Sequence, residues 1–189
     1  APTINGAPVN PITGIHVTAG YTTQLTFGNY CTKPSGGRTP GFWSNKNGEA
    51  TMLDGSPASL LPELNLLGSL NLVGANGNAF DPVDYPSFRA WLLASDATNM
   101  AYKLSSHLAA MRLNVEAGFV NGNALYAPYG GTINALINAA NTSLGLYPYT
   151  PSGHPQRANQ EQLKNFLDAL NNGGGVVSPV PCKRTFQAY

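Results

Sequence analysis

The feature that most constrains this sequence is a change of hydrophobic period at residues 39–48, which read TPGFWSNKNG. Before this segment, apolar and polar residues alternate with the two-residue period of a β-strand. After it, nearly every periodic stretch follows the period of an α-helix. The segment itself places two large aromatic residues among turn-forming residues. We therefore predict a loop that joins a small β element to a helical body.

Residues 15–30 have the clearest strand pattern in the sequence. Apolar and polar residues alternate along both halves of this stretch, and a glycine-containing turn at residues 19–21 separates the halves. The pattern predicts a β-hairpin. Because two strands alone are only marginally stable, we expect the hairpin to pair with further strands. These strands would come from residues 176–189 of the same chain or from another chain.

Residues 1–14 precede the hairpin and contain three prolines, which exclude a regular helix. We expect this segment to lie on its own domain or to dock on a neighbouring subunit, and the sequence leaves both arrangements open. The candidate assembly residues are the apolar positions of this segment and of the hairpin, namely Ile4, Val9, Ile12, Ile15, Val17, Leu25 and Phe27.

Residues 39–172 are predicted to form the helical body. A leucine-rich stretch at residues 60–72 contains Pro62 and predicts short helices. Asp84 is well placed to cap the next helix. The oxygen-bearing side chains of residues 76–84 alternatively favour weak calcium binding of the kind found in extracellular modules, although their spacing does not match an EF-hand.

The strongest helical pattern follows these short helices. Apolar residues recur at spacings of three and four at Met100, Leu104, Leu108, Met111 and Val115. The stripe is wide enough for burial on two sides, so we predict a central helix here. We expect Thr98 or Asp96 to cap it and Gly118 to end it. Two further helices are predicted at residues 132–144 and 156–171.

The composition of the chain disfavours two classes of binding partner, nucleic acids and membranes. Charged residues make up 10% of the chain and the net charge is +1, whereas soluble domains carry roughly 25% charged residues. The sequence therefore lacks the clustered basic residues that nucleic acids or anionic membranes require. It also has no apolar run of about 20 residues that could span a membrane. A surface with so little charge offers little repulsion against self-association, although it also fits an ordinary neutral surface.

The two cysteines, Cys31 and Cys182, lie near opposite ends of the chain. Secreted proteins tend to pair such cysteines, whereas cytosolic proteins usually leave them unpaired. A disulfide between them would hold the C-terminal tail against the predicted loop. The first three residues, Ala-Pro-Thr, resemble an end left by signal-peptide cleavage. We therefore expect a secreted protein, located outside the cell or on its surface.

Several motifs resemble those of known proteins. Residues 17–29, VTAGYTTQLTFGN, resemble the closing strands of immunoglobulin-like or prealbumin-like modules in bacterial surface proteins. The TPGFWSNKNG segment and residues 97–102, ATNMAY, resemble those of a group of uncharacterised secreted bacterial proteins. The similarity extends over most of residues 15–182. It implies an extracellular or cell-surface location, and it implies no activity, cofactor or catalytic residue.

The sequence contains no constellation typical of an enzyme. No pair of its three histidines, His16, His107 and His154, has the spacing of metal ligands on a helix, and we interpret each as an ordinary exposed or capping histidine. The nine carboxylates are scattered, and a chance glycosidase-like pair such as Glu49 with Glu116 is not favoured by any motif. We therefore predict no enzyme activity, no cofactor and no metal.

Aromatic residues in the predicted loops suggest a second kind of site. They could form a stacking platform for sugars, and Asn and Thr side chains could bond to sugar hydroxyls. Alternatively, Phe42 and Trp43 fill the seam between the hairpin and the helices, and for Trp43 we favour this structural role. The candidate platform residues are Phe42, Trp43, Tyr126, Tyr129, Tyr147 and Tyr149.

Together these patterns predict an α+β fold. A mainly helical domain, with about four main helices around a central helix, would carry a small N-terminal β-hairpin joined by C-terminal strands. Residues 1–14 would form a possible docking arm, and residues 15–189 a single domain that ends in the tail at residues 176–189. We expect a structural subunit that self-assembles into a filament or layer by adding its N-terminal strand to a neighbouring subunit. The alternative is a monomeric carbohydrate-binding or adhesion module.

Overall fold

The computed structural model describes residues 3–4, 7–8, 18–20, 31–54 and 59–178. The described residues form seven helices and three short antiparallel strand pairs. The helices are α1 (Pro40–Trp43), α2 (Lys46–Met52), α3 (Leu61–Gly68), α4 (Tyr85–Ala94), α5 (Met100–Glu116), α6 (Ile133–Leu146) and α7 (Arg157–Asn171). The strands are β1 (Thr3–Ile4), β2 (Ala7–Pro8), β3 (Thr32–Pro34), β4 (Leu125–Tyr126), β5 (Gly131–Thr132) and β6 (Gly175–Val177). The predicted α+β class is confirmed.

The long helix α5 is the centre of the molecule, as its periodicity predicts. Of its 17 residues, 13 are buried, so the helix is covered on several sides. It packs most extensively against α7 and next against α6. The cap differs from the prediction, because the Asn99 side chain accepts a hydrogen bond from the Ala101 N–H, while Asp96 accepts from the Thr98 N–H. Gly118 follows the last turn with a φ of +72°, which favours glycine after a helix.

The N-terminus of α4 confirms the predicted capping role of Asp84. Its carboxylate accepts a hydrogen bond from the Ser87 N–H at 2.8 Å. The Ser87 side chain bonds in return to the backbone of Asp84, which completes a capping box. These two bonds satisfy backbone groups that would otherwise lack partners at the start of the helix. They also hold the pKa of the Asp84 carboxyl below its ordinary value.

Residues 39–48 do not form the predicted loop, since they begin two short helices. The Thr39 hydroxyl accepts from the Phe42 N–H at 3.3 Å, and Pro40 occupies the first turn of α1. Asn45 then caps α2 by accepting from the Asn47 N–H at 2.8 Å. Threonine, asparagine and proline are turn-forming residues, but they also start helices. The loop prediction was wrong because it used only the first of these two properties.

The expected C-terminal strand is present, because Val176 and Val177 belong to β6, which pairs with β3 directly after the predicted hairpin. The hairpin itself stays a prediction, because most of residues 15–30 lie outside the described part of the chain. Of the hairpin, only residues 18–20 are described, and they form a turn in which Gly20 has a φ of +82°. Within the leader, Thr3–Ile4 pairs with Ala7–Pro8. The remaining residues of the leader and the tail beyond residue 178 lie outside the described part of the chain.

Two buried polar networks fasten the ends of α5. In the first, which we call the Asn114 clamp, the Asn114 Oδ1 accepts from the Arg38 N–H at 2.9 Å and from the Trp43 Nε1–H at 3.2 Å. The Asn114 Nδ2 donates to the Arg38 carbonyl and to the Asn171 Oδ1, both at 2.8 Å. The Asn171 Nδ2 in turn donates to the His107 carbonyl at 3.1 Å. The clamp thus joins α5 and α7 to the segment that follows β3.

The second network, which we call the Gln160 clamp, lies at the other end of α5. The Thr150 N–H donates to the Asn99 Oδ1 at 2.8 Å, and the Thr150 hydroxyl accepts from the Ala101 N–H at 2.9 Å. The Thr150 hydroxyl also donates to the Gln160 Oε1. The Gln160 Nε2 donates to the Tyr147 carbonyl at 2.9 Å. This clamp joins α5, α7 and the loop after α6.

Candidate functional site

The small sheet formed by β3 and β6 is held closely against the helical body. The Ser35 hydroxyl, directly after β3, donates to the Leu170 carbonyl in the last turn of α7. At Gly37, a Cβ atom would lie 2.3 Å from the same carbonyl oxygen, and at Gly36 it would lie 2.3 Å from the Phe119 carbonyl oxygen. Only glycine fits where two backbones approach this closely. The position of the sheet is therefore fixed by the ends of α5 and α7.

The register of β3 against β6 determines which backbone groups of each strand face the other strand. Thr32 lies opposite Val177 and Pro34 lies opposite Gly175. The hydrogen bonds from Ser35 N–H to the Gly174 carbonyl (3.0 Å) and from Ser178 N–H to the Cys31 carbonyl (2.7 Å) mark the hydrogen-bonded pairs. Since such pairs alternate along an antiparallel ladder, Thr32, Pro34, Gly175 and Val177 direct their backbone groups away from the partner strand.

The two outer edges of the sheet are chemically different. Along β3, Thr32 offers an N–H and a carbonyl, but Pro34 offers only a carbonyl because proline has no N–H. Along β6, Gly175 and Val177 each offer both groups. None of these outward groups has a hydrogen-bond partner among the described residues. Proline on an edge strand is a common protection against pairing, so β3 has a blunted edge. Strand β4 lies close alongside β6 without being hydrogen-bonded to it as a sheet neighbour.

A groove of about 220 Å³ lies beside β6. Val177 and Ser178 line one side of it, and the loop that leads into β4 lines the other through Asn121, Asn123, Ala124 and Leu125; Lys33 completes the lining. Leu125 is 41% exposed, so its apolar side chain can contact a ligand in the groove. We call this the β6 groove.

The predicted assembly residues and the predicted disulfide are only partly described. Among the assembly residues, Ile4 is described as part of β1, while Val9, Ile12, Ile15, Val17, Leu25 and Phe27 lie outside the described residues. Cys31 immediately precedes β3 and is not a free thiol. Its predicted partner, Cys182, lies outside the described residues, so the pairing of the two cysteines stays a prediction. Cys31 is nevertheless adjacent to β3, which pairs with the C-terminal strand β6.

The predicted aromatic platform is not a single surface. Phe42 and Trp43 pack against Phe119, with the Phe42 and Trp43 ring centres 5.2 Å apart. Trp43 is only 1% exposed, so its side chain lies in the core and offers no surface to a ligand. Its expected place in the seam with the hairpin stays a prediction, because the hairpin strands lie outside the described residues. Tyr126 is also buried and packs with Tyr129 against Phe166.

The remaining two platform residues lie in a third place, on either side of Pro148. Tyr147 and Tyr149 are 36% and 50% exposed. Pro148 lines a groove of about 240 Å³ together with Asn71, Gly77, Gly145 and other residues of mostly apolar character. Of the six candidates, only these two tyrosines are substantially exposed beside a groove.

A smaller pocket of about 110 Å³ lies next to Trp43. The carboxylates of Asp54, Glu63 and Glu116 line it, whereas Glu49, the other member of the chance pair considered from sequence, does not. The Oε2 atom of Glu63 is buried and makes no hydrogen bond with the described residues. Within the described part of the chain, no group of three or more His, Cys, Asp or Glu residues could hold a metal ion.

The structure corrects the interpretation of His107. It is buried between α5 and α7, with its Nδ1 atom 3.7 Å from the Asp168 Oδ1. Burial lowers the pKa of His107 to about 4, although the nearby Asp168 carboxylate partly opposes the shift. The imidazole is therefore neutral at pH 7. The His154 Nδ1 atom accepts from the Gln156 N–H at 3.1 Å in the turn before α7, and His16 lies outside the described residues.

Sequence reasoning did not identify β3 or the β6 groove. Thr32, Lys33 and Pro34 are too few to show a period, and all three are exposed. The only available signal was their position directly after Cys31, because that cysteine was expected to bring the C-terminal tail close. Leu125 gave no signal, since a single leucine in a polar loop is common.

No protein-family model, curated protein or solved structure matches the chain. The resemblance of residues 39–48 and 97–102 to secreted bacterial proteins therefore stays a prediction.

Among the described residues, no helix has the length and apolar character needed to cross a membrane.

Proposed function

We propose that this protein is a secreted structural subunit that self-assembles into an extracellular or cell-surface filament or layer. One subunit would add an N-terminal strand to the sheet of its neighbour through main-chain hydrogen bonds. The observation that carries the proposal is the two-stranded β3–β6 sheet, whose outward backbone groups have no partner among the described residues. Such an edge is a template for pairing with another strand.

The way the sheet is anchored supports this role. Sheets of two short strands are marginal by themselves, but here β3 continues into Ser35, which bonds to α7, and into Arg38, which bonds to Asn114. The edge is thus presented on a rigid body. A head-to-tail contact between the arm of one subunit and the edge of the next does not close on itself, so it generates an open chain of subunits.

The low charge of the chain also supports assembly. Only 10% of the residues are charged and the net charge is +1, so neighbouring subunits experience little electrostatic repulsion. The catalytic alternatives have weaker support, since the described carboxylates and histidines form no metal-binding group.

The test is assembly of the purified full chain compared with a variant that lacks residues 1–14. We expect light scattering and negative-stain electron microscopy to show filaments or layers for the full chain. The shortened variant should remain monomeric, with an unchanged near-UV circular dichroism spectrum. Assembly of the shortened variant to the same extent, or a full chain that stays monomeric at every concentration, would contradict the proposal.

A second candidate function is glycan binding at the groove beside Pro148. Tyr147 and Tyr149 are exposed on either side of this residue, and Asn71 contributes an amide to the lining. Aromatic faces with a few polar groups suit sugar rings. Glycan-array binding that is lost in Tyr149→Ala and retained in Tyr126→Phe would support this function, and an array without binding would exclude it for the glycans tested.

A further inference from the structure

We infer that the groove beside Pro148 binds a neutral 2-acetamido sugar, and that Tyr149 rather than Tyr147 stacks on the sugar ring. The inference rests on the glycan-binding function proposed above as the second candidate, and it specifies the class of sugar. It is carried by the juxtaposition of an apolar, uncharged groove with an unused amide acceptor and an exposed aromatic ring at its rim. We call this groove the Pro148 groove.

The two walls of the Pro148 groove are fastened to each other. One wall is the turn that contains Gly74 and Gly77, and the other is the end of α6 together with Pro148. The Asn99 Nδ2 donates to the Gly74 carbonyl and to the Pro148 carbonyl, both at 3.3 Å. The walls also meet at Gly77, where a Cβ atom would lie 2.8 Å from the Tyr149 Cβ. The groove is therefore already formed before a ligand arrives, so little conformational freedom is lost on binding.

Both walls of the groove are free of charged side chains. Residues 64–80 and 117–153 supply every residue of the lining, and they contain no Asp, Glu, Lys, Arg or His. A charged ligand would lose its hydration there without gaining a partner of opposite charge from the lining. At about 240 Å³, the groove is also smaller than the sites of drug-sized ligands, which occupy roughly 300–1,000 Å³. It therefore suits a single uncharged sugar residue.

The lining combines an apolar surface with one unused acceptor. The apolar surface comes from Leu72, Val73, Ala79, Leu144 and Pro148. Asn71 bonds to Asn141 through its backbone N–H and its Nδ2 group, at 2.7 and 3.1 Å, so its Oδ1 atom still has lone pairs for a donor. An acetamido group has the matching parts, a methyl group for the apolar surface and an N–H for the Asn71 Oδ1. A hydroxyl in its place can donate to the same atom but leaves the apolar surface uncovered.

The two exposed tyrosines differ in what their rings contact. The Tyr147 ring lies near the His154 ring, with the ring centres 6.2 Å apart, toward the turn that precedes α7. The Tyr149 ring is 50% exposed and contacts no other ring among the described residues. Its Cβ lies against Gly77 of the lining, which places this tyrosine at the rim of the groove. An exposed aromatic ring in this position can stack on the apolar face of a sugar.

The test compares sugars that differ only in the group at carbon 2. The N-acetylglucosamine trimer is compared with cellotriose, and methyl N-acetylgalactosaminide with methyl galactoside, by following chemical-shift changes of the full chain during titration. We expect an acetamido sugar to bind at least tenfold more tightly than its hydroxyl counterpart. The glucosamine trimer, which carries ammonium groups at the same positions, should not bind.

The possible outcomes separate this inference from the function on which it rests. Equal binding of an acetamido sugar and its hydroxyl counterpart would overturn the inference and leave the glycan-binding function intact. If neither acetamido sugar binds, the inference fails, and the glycan array described above decides whether the glycan-binding function fails with it.

Two pairs of substitutions locate the binding site. Ala79→Leu fills the Pro148 groove with a larger apolar side chain, and Ala75→Leu is its control, because Ala75 is exposed in the same turn but does not line the groove. Tyr149→Ala is paired with Tyr147→Ala in the same way. We expect Ala79→Leu and Tyr149→Ala each to weaken binding of the acetamido sugar at least tenfold, and each control to change it less than twofold. Thermal unfolding verifies that the variants are folded.

Gly145→Ala tests the acceptor without removing a polar group. The added Cβ atom would lie 2.8 Å from the Asn71 Nδ2, so it displaces the Asn71 amide. The variant should lose the preference for the acetamido sugar over its hydroxyl counterpart, and an unchanged preference would contradict the role assigned to Asn71. If Ala79→Leu leaves sugar binding unchanged and instead abolishes assembly of the full chain, the groove holds a neighbouring subunit and the inference is overturned.

Discussion

The Asn114 clamp and the Gln160 clamp are built from the same kinds of buried amide side chain, yet they fasten different parts of the molecule to α5. The Gln160 clamp joins α5 and α7 by way of the loop after α6, through Asn99, Thr150 and Gln160. The Asn114 clamp also joins α5 to α7, and in addition it holds the segment after β3, because Asn114 binds both the N–H and the carbonyl of Arg38. One clamp stabilises the body, and the other positions the sheet on it.

Because of this difference, the stability of the helical body and the position of the β3–β6 sheet depend on different buried side chains. A defect in the Gln160 clamp should lower the free energy of unfolding and leave the sheet in place as long as the body is folded. A defect in the Asn114 clamp should also release residues 31–37 locally. Hydrogen exchange measures local and global opening separately, so the two clamps can be distinguished by experiment.

Replacement of Trp43 by alanine should produce the largest effect. Trp43 is fully buried against Phe42 and Phe119 and belongs to the Asn114 clamp. We expect a loss of about 3–5 kcal/mol in the free energy of unfolding, measured by denaturant titration, and faster exchange at residues 31–37. Trp91→Ala is the control. It removes a buried tryptophan whose Nε1–H donates to the Val73 carbonyl, and it should destabilise without selectively exposing the sheet. A stable Trp43→Ala variant that no longer binds a ligand would restore the site interpretation.

The pH dependence of His107 should be the next largest effect. Its pKa is lowered to about 4 in the folded protein by burial, which outweighs Asp168 and acts in the same direction as Lys103 and Lys164. Between pH 6.5 and 4 the unfolded chain therefore binds a proton that the folded chain does not. Stability is complete above pH 6.5 and should fall by as much as about 3 kcal/mol as the pH decreases to 4.

The control for this prediction is His107→Gln, which cannot be protonated. Its free energy of unfolding should decline less steeply between pH 6.5 and 4 than that of the wild type. An equal slope in both proteins would assign the acid sensitivity to the carboxylates, several of which are protonated over the same range. The exchange of residues 31–37 should increase in parallel with the loss of stability, because the His107 carbonyl accepts from Asn171 of the Asn114 clamp.

Asn114→Ala should cost about 2–3 kcal/mol, because it leaves the buried Trp43 Nε1–H and Asn171 Oδ1 without partners. Its distinctive result is local. Residues 31–37 and 174–178 should exchange faster than expected from the global loss, and assembly should weaken. Uniformly faster exchange throughout the chain would contradict the role assigned to this clamp.

Gln160→Leu should have the smallest effect, about 2 kcal/mol, since it removes hydrogen bonds to Thr150 and Tyr147 while retaining much of the side-chain volume. The variant should unfold at a lower denaturant concentration. The protection of residues 31–37 from hydrogen exchange should decrease only by the amount that the lower global stability requires. A selective loss of protection there would mean that the two clamps are one cooperative unit.

The helical body could be predicted from sequence because each long helix has a repeating apolar pattern. Met100, Leu104, Leu108 and Met111 identify α5 without reference to any other part of the chain, and all four are buried. The cap of α5 could not be chosen in the same way. Asp96, Thr98 and Asn99 are all good capping residues, and the choice of Asn99 follows from its bond to Thr150, some fifty positions away.

The site was harder to predict because its residues carry little local information. Strand β3 is three exposed residues long, and its pairing with β6 depends on where α5 and α7 end. The burial of His107 could not be predicted from its neighbours in the sequence either. A histidine among Ser106 and Leu108 is compatible with an exposed or a buried position, and the packing of α7 against α5 decides between them.

The pairing of β3 with β6 has a consequence for the order of events during synthesis. Strand β3 precedes all seven helices and β6 follows them, and synthesis proceeds from the N-terminus. The sheet therefore forms only after α7 and β6 have been synthesised. If the protein assembles through this sheet as we propose, an incomplete chain would have no paired edge to offer, and only finished molecules would accept a neighbour.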